Sequence, residues 1–152
     1  MEFKHIPVLF HEIMDIMEPK PGELYLDCTL GGGGHSKGFL ERTSPDGCLI
    51  GIDQDTNALV AAQQNLNSYE GRVVFVHSNY QNLDAILNEY APEGVDGILF
   101  DIGVSSHQLD EKDRGFSYMQ DAPLDMRMNR EQSLDAWQVV NTYSEDELHR
   151  II

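Results

Sequence analysis

A doubly wound α/β fold on a parallel sheet is what this sequence of 152 residues predicts. Three observations predict it. Short apolar runs alternate with helix-forming segments from residue 24 to residue 101, as in a parallel sheet covered on both faces. Four consecutive glycines lie between the first run and the next helix. Acidic residues, Asp27, Asp53 and Asp101, stand at or near the ends of the first, second and fourth runs.

Taken in order, residues 7–17 form an amphipathic helix with Pro7 at its first position and Leu9, Ile13, Ile16 and Met17 on one face. Pro19, Pro21 and Gly22 stop it. Leu24–Cys28 is the first strand, followed by the Gly31–Gly34 loop and a short helix carrying Phe39 and Leu40. Pro45-Asp46-Gly47 is a turn into the second strand, Cys48–Asp53. Thr56 caps a helix that turns Leu59, Ala62 and Leu66 inward. Val73–His77 is the third strand, and Leu83, Ile86, Leu87 and Tyr90 mark the helix leading to the fourth, Gly97–Asp101. Right-handed crossovers then give the strand order 3-2-1-4. Beyond Asp101 the alternation fails. Residues 102–130 are polar and irregular, a length of loop usually reserved for function or movement. Ser133 and Ser144 are expected helix caps, and Ser144 with Glu147 fits a capping box.

Composition narrows the function. A hydrophobic share of 41% and a charged share of 24% are ordinary for a globular domain. No apolar run reaches the roughly 20 residues of a membrane span. The N-terminus lacks the basic and apolar regions of a secretory signal, so a cytoplasmic protein with no membrane partner is expected. Cys28 and Cys48 are far apart in apolar runs, which predicts buried inert thiols and neither redox nor metal chemistry. The net charge of −16 argues, by itself, against a nucleic-acid partner, whose phosphates call for a basic surface.

The glycine run carries the chemistry. Glycines let the backbone turn sharply and approach a ligand, and the helix they open offers free N–H groups to an anion. Asp53 ends the second strand about twenty residues on, where an acid accepts hydrogen bonds from ribose hydroxyls. Asp101 lies at the crevice where the strand order reverses, the usual ligand site of such sheets. Three nucleotide-type ligands compete. A P-loop needs Gly-Lys-Ser/Thr, which Gly34-His35-Ser36-Lys37 does not supply. A nicotinamide dinucleotide fits only loosely. S-adenosylmethionine fits best, with its ribose on Asp53, its ammonium near Asp27 or Asp101, and its carboxylate on the loop amides.

Several segments together, in this order, resemble the MraW-type methyltransferases: His5-Ile6-Pro7-Val8-Leu9, Asp27 to Ser36 across the glycines, Asp53-Gln54-Asp55, Phe100 to Ser106, Gln108-Leu109-Asp110, Arg114-Gly115-Phe116-Ser117 and Leu124-Asp125-Met126-Arg127-Met128. The resemblance implies a Rossmann-like S-adenosylmethionine-dependent methyltransferase that methylates the exocyclic N4 of a cytosine in 16S ribosomal RNA, in the decoding region of the small subunit. It implies cofactor contacts at Gly33, Gly34, His35, Asp53, Tyr80, Asp101 and Gln108, with Asp101 also the candidate catalytic residue. It divides the chain into a cofactor-binding domain, residues 1–104, and an active-site loop with the start of a helical insertion, residues 105–152. Members are about twice as long, so the closing strands and most of the RNA site are expected to be absent. The fourth strand then becomes an open edge, which predicts a two-fold homodimer and no methyl transfer by this chain alone.

Cytosine N4 is a poor nucleophile and needs an acceptor for its proton as well as alignment. Other amino-methyltransferases place Pro-Pro-aromatic after the acid or amide at the end of the fourth strand. Here the residues are Asp101-Ile102-Gly103-Val104, so the stacking aromatic has to come from elsewhere, with Phe116 or Tyr118 as candidates. A nicotinamide-dependent oxidoreductase and a non-catalytic nucleotide-binding module remain alternatives.

Overall fold

Four strands form a parallel sheet in the order β3-β2-β1-β4 in a computed structural model that describes residues 7–152. The strands are β1 (Leu24–Asp27), β2 (Cys48–Asp53), β3 (Val73–His77) and β4 (Gly97–Leu99). Four helices interleave with them: α1 (Phe10–Met17), α2 (Gly34–Arg42), α3 (Thr56–Asn65) and α4 (Leu83–Tyr90). Strand order and alternation are those the sequence predicts. The register pairs Asp27 with Gly51 and with Leu99, so the C-terminal ends of the three strands β2, β1 and β4 lie side by side.

Each face of the sheet buries its own apolar cluster. On one, Tyr25, Leu49 and Leu99 meet Phe39 of α2 and Leu59 and Ala62 of α3. On the other, Leu26, Ile50 and Ile52 meet Ile86 of α4. Helices on both faces are what a strand buried on both sides requires.

Several local expectations are corrected. Helix α1 starts at Phe10, not Pro7, because Leu9 is its N-cap in a left-handed conformation (φ 54). Its inward face is Phe10, Ile13, Met14 and Met17, the i, i+3, i+4, i+7 set, while Leu9 and Ile16 are exposed. Asp55 caps α3 by accepting the Asn57 N–H at 3.0 Å, and Thr56 is the first helical residue. A carboxylate is favoured there by the positive end of the helix. Strand β4 ends at Leu99, two residues early, because the Asp101 N–H turns aside to the Thr29 hydroxyl. Cys28 is buried and its thiol is pushed up to about 12 by that burial, but Cys48 is only half-buried. His5 and Ile6 of the first motif lie outside the described residues.

The chain divides into two compact units, Met1–Ile102 and Gly103–Ile152. The second unit contains α5 (Ser106–Asp110), α6 (Ala136–Thr142) and α7 (Glu145–Ile151). Ser144 and Glu147 form the expected capping box of α7. Asp135, rather than Ser133, caps α6 by accepting the Gln138 N–H at 2.7 Å. Between α5 and α6 the loop is held by arginines. Arg114 donates to the carbonyls of Arg127 and Met128, and Arg127 makes a two-pronged contact with Asp125. Among the described residues, no helix is long and apolar enough to cross a membrane.

Candidate functional site

The first unit gathers its polar residues at the C-terminal ends of β1, β2 and β4, where doubly wound sheets bind ligands. Gly33 is the N-cap of α2 with φ 78, and no side chain caps that helix. The first-turn amides of α2, which directly follow the glycine loop at the end of β1, therefore have no carbonyl one turn earlier to bond. A side chain at Gly34 would run into the Pro7 ring, which fixes the approach of the N-terminal segment to the loop.

Asp53 is the acid that holds this loop in shape. Its carboxylate accepts the Gly31 N–H at 2.8 Å and the Asp55 N–H at 2.9 Å. Burial pushes its pKa above the ordinary carboxylate range, against the pull of those amides and of the Gln54 N–H. A carboxylate offers about four acceptor sites, so Asp53 keeps room for a further donor such as a ribose hydroxyl.

Asp27 and Asp101 differ sharply. Asp27 is buried, with one oxygen bonded by the Ser36 hydroxyl at 2.7 Å and the other by the Thr29 N–H at 3.1 Å. It ties β1 to α2, and burial raises its pKa. Asp101 has a half-exposed carboxylate, and Thr29 fixes its backbone with a 2.7 Å bond from the Asp101 N–H. Of the two acids offered for an ammonium, only Asp101 is presented to the crevice. Sequence reasoning assigned no role to Thr29 or Ser36, although both stand inside the glycine motif.

His35 bridges the N-terminal segment and Asp101. Its Nε2 lies 2.9 Å from the Val8 carbonyl, which can only accept, so Nε2 carries a proton. Its Nδ1 faces Asp101 Oδ2 at 3.9 Å, and the ring stacks near Phe10. Tyr80 begins the turn Tyr80–Asn82 after β3 and meets Phe100 edge to face. The structure thus brings Gly33, Gly34, His35, Asp53 and Asp101 to one margin of the sheet, with Tyr80 following β3. Gln108 belongs to the second unit. It is buried, and its Oε1 accepts the Ser105 N–H at 3.0 Å in the capping box of α5. Among the described residues, no cluster of side chains could hold a metal ion.

The MraW methylase family matches residues 2–152. This chain belongs to that family. It is 59% identical over its whole length to a Clostridium botulinum (strain Kyoto / Type A2) protein named ribosomal RNA small subunit methyltransferase H, of which it covers 49%. A Clostridioides difficile (strain 630) protein of the same name is 54% identical over 100% of this chain and 49% of its own length. The chain spans about half the length of these relatives. Among solved structures, a protein-L-isoaspartate O-methyltransferase superposes with a TM-score of 0.51 at 20% identity, over 64% of this chain and 30% of that one. That likeness shows the fold alone. The fold and the family expected from the motifs are therefore those of this MraW chain.

Proposed function

We propose that this MraW chain holds the methyl donor of a 16S ribosomal RNA methyltransferase that modifies the N4 amine of a cytosine in the small subunit. The observation that carries the reading is the crevice itself. An uncapped helix start, a ribose-ready Asp53 and a presented Asp101 line one sheet margin, in a chain whose relatives are named as ribosomal RNA small subunit methyltransferases.

The residues suit S-adenosylmethionine group by group. The α2 amides suit its carboxylate, Asp101 its ammonium and Asp53 its ribose. When bound, that cofactor supplies an electrophilic methyl group on a sulfonium. Asp101 is also placed to accept an N4–H hydrogen bond, holding the amine and taking up its proton. Residues 1–104 then serve cofactor binding and residues 105–152 begin the substrate part, a reading supported by the separate compactness of the unit Gly103–Ile152.

The test uses calorimetry and nucleoside analysis on protein containing this chain. S-adenosylhomocysteine is expected to bind and NAD not to. Small-subunit RNA incubated with donor and the full-length protein should yield N4-methylcytidine. Asp101→Ala should lower kcat more than it weakens cofactor binding, because an interaction made mainly in the transition state is lost. Binding of NAD alone, or a methylated product other than N4-methylcytidine, would overturn the proposal.

A further inference from the structure

Tyr80 opens the turn after β3, and Phe100 is the first residue past β4. Those are the two outer strands, with β2 and β1 between them. At about 4.8 Å per strand they stand roughly 14 Å apart. Yet the ring centroids of Tyr80 and Phe100 are 5.7 Å apart at 86°.

The sheet explains how they meet. Leu99 is buried in the cluster with Tyr25 and Leu49, so strand alternation turns Ile98 and Phe100 to the opposite face. That is the face on which α4 packs Ile86 against Leu26 and Ile50. Tyr80 lies in the turn that runs directly into α4. The Ser78 N–H donates to the Asp53 carbonyl at 3.1 Å, which fixes the exit of β3 beside the residue read as the ribose acceptor. The two rings therefore close the α4 side of the same sheet margin.

Neither ring is committed to the core, since Tyr80 is 38% exposed and Phe100 is 42% exposed. An edge-to-face pair leaves ring surface of both partners open and makes an apolar corner. The neighbouring side chains on this margin, Asp53 and Asp101, are carboxylates. A flat heterocycle attached to a diol fits such a place, with the diol on the acid and the ring against the aromatic corner.

We propose that Phe100 is the positioning residue of the purine subsite: it holds Tyr80 edge to face so that Tyr80 presents a fixed surface to the adenine. This rests on the S-adenosylmethionine reading above. Phe100 acts through Tyr80, so the two residues are coupled and the ring, not merely apolar volume, is required.

The experiment titrates S-adenosylhomocysteine by calorimetry into the protein and into the variants Phe100→Ala, Phe100→Leu, Phe100→Tyr, Tyr80→Ala and Phe100→Ala with Tyr80→Ala. Phe100→Ala and Phe100→Leu should each weaken binding about fivefold, the scale of one aromatic pair. Phe100→Tyr should restore it to within about twofold. The double variant should lose no more than Tyr80→Ala alone, the signature of coupled residues. Unchanged affinity in Phe100→Ala, full affinity in Phe100→Leu, or losses that add in the double variant would overturn the proposal and leave the cofactor reading standing. Failure of the unmodified protein to bind S-adenosylhomocysteine would remove the cofactor reading and this inference with it.

Discussion

Asp53 holds the glycine loop by accepting two amides, a task beyond the ribose contact proposed for it. Its position at the end of an apolar run, about twenty residues past a glycine loop, is legible as a ribose acceptor. Its bonds to the Gly31 and Asp55 amides are not, because they depend on where two loops meet above the sheet. Asp53→Ala should therefore weaken cofactor binding by about 1.5–3 kcal/mol and also lower the melting temperature, since it leaves two amides without their acceptor. The raised pKa adds a pH signature. A diol donates to the carboxylate, so affinity for S-adenosylhomocysteine should fall as the pH drops through the folded-state pKa of Asp53, which lies above the ordinary 3.8. Asp53→Asn should flatten that dependence in a calorimetric series. A profile that keeps the same midpoint in Asp53→Asn would assign the titration to another group. Asp27 makes the converse case: the same residue type, one turn before the glycines, is absorbed by Ser36 and Thr29 and serves the fold.

At the scale of elements, the strands were readable because a parallel sheet buried on both faces demands continuous apolar runs, and these runs have no competing explanation. Helix α1 was readable at its end but not its start, and only half in face: Ile13 and Met17 turn inward as expected, while Leu9 and Ile16 satisfy an apolar count and Phe10 and Met14 satisfy the geometry. The loop between α5 and α6 was not readable at all. Its order comes from Arg114 reaching carbonyls 13 and 14 residues away and from Asp125 gripping Arg127, contacts that leave no periodic trace. Met126 sits there with φ 57, a left-handed conformation that those contacts hold, and its N–H donates to the Arg114 carbonyl at 3.0 Å. The hydrogen bond from Arg127 holds the Asp125 carboxyl down at about 2. A depressed acid contributes stability that is complete above its unfolded value of 3.8 and lost as the pH falls through about 2. The Arg127 Nε–H resonance, followed by NMR, should hold its position down to about pH 3 and then move with a midpoint near pH 2. An Asp125→Asn variant should show the shifted position already at neutral pH. A resonance insensitive to both changes would mean that the carboxylate is not what orders this loop.

For the whole molecule, the net charge of −16 and the proposed RNA substrate pull in opposite directions. Proteins that neutralise 6–10 phosphates lose about 10³–10⁵ in affinity between 50 and 200 mM salt. This chain has ten lysines and arginines against 26 acids, and Arg114 and Arg127 are engaged within the second unit. Its own affinity for a small-subunit RNA segment should therefore be low and should change less than about tenfold over that salt range in a filter-binding assay. A steep salt dependence would reveal a basic face in this acidic chain. The division at Ile102 also has a spectroscopic meaning. The sequence contains one tryptophan, Trp137, in α6 of the unit Gly103–Ile152, half exposed, its backbone N–H donating to the Leu124 carbonyl. The crevice of the other unit is supplied with tyrosine and phenylalanine instead. Indole emission is thus a private reporter of the second unit: a denaturation curve followed by it tracks that unit's melting, while tyrosine emission and backbone dichroism weigh heavily toward the sheet. Two midpoints that separate between these signals would measure how independently the halves unfold. A donor titration that leaves the indole silent would be a statement about the second unit, not about occupancy of the first.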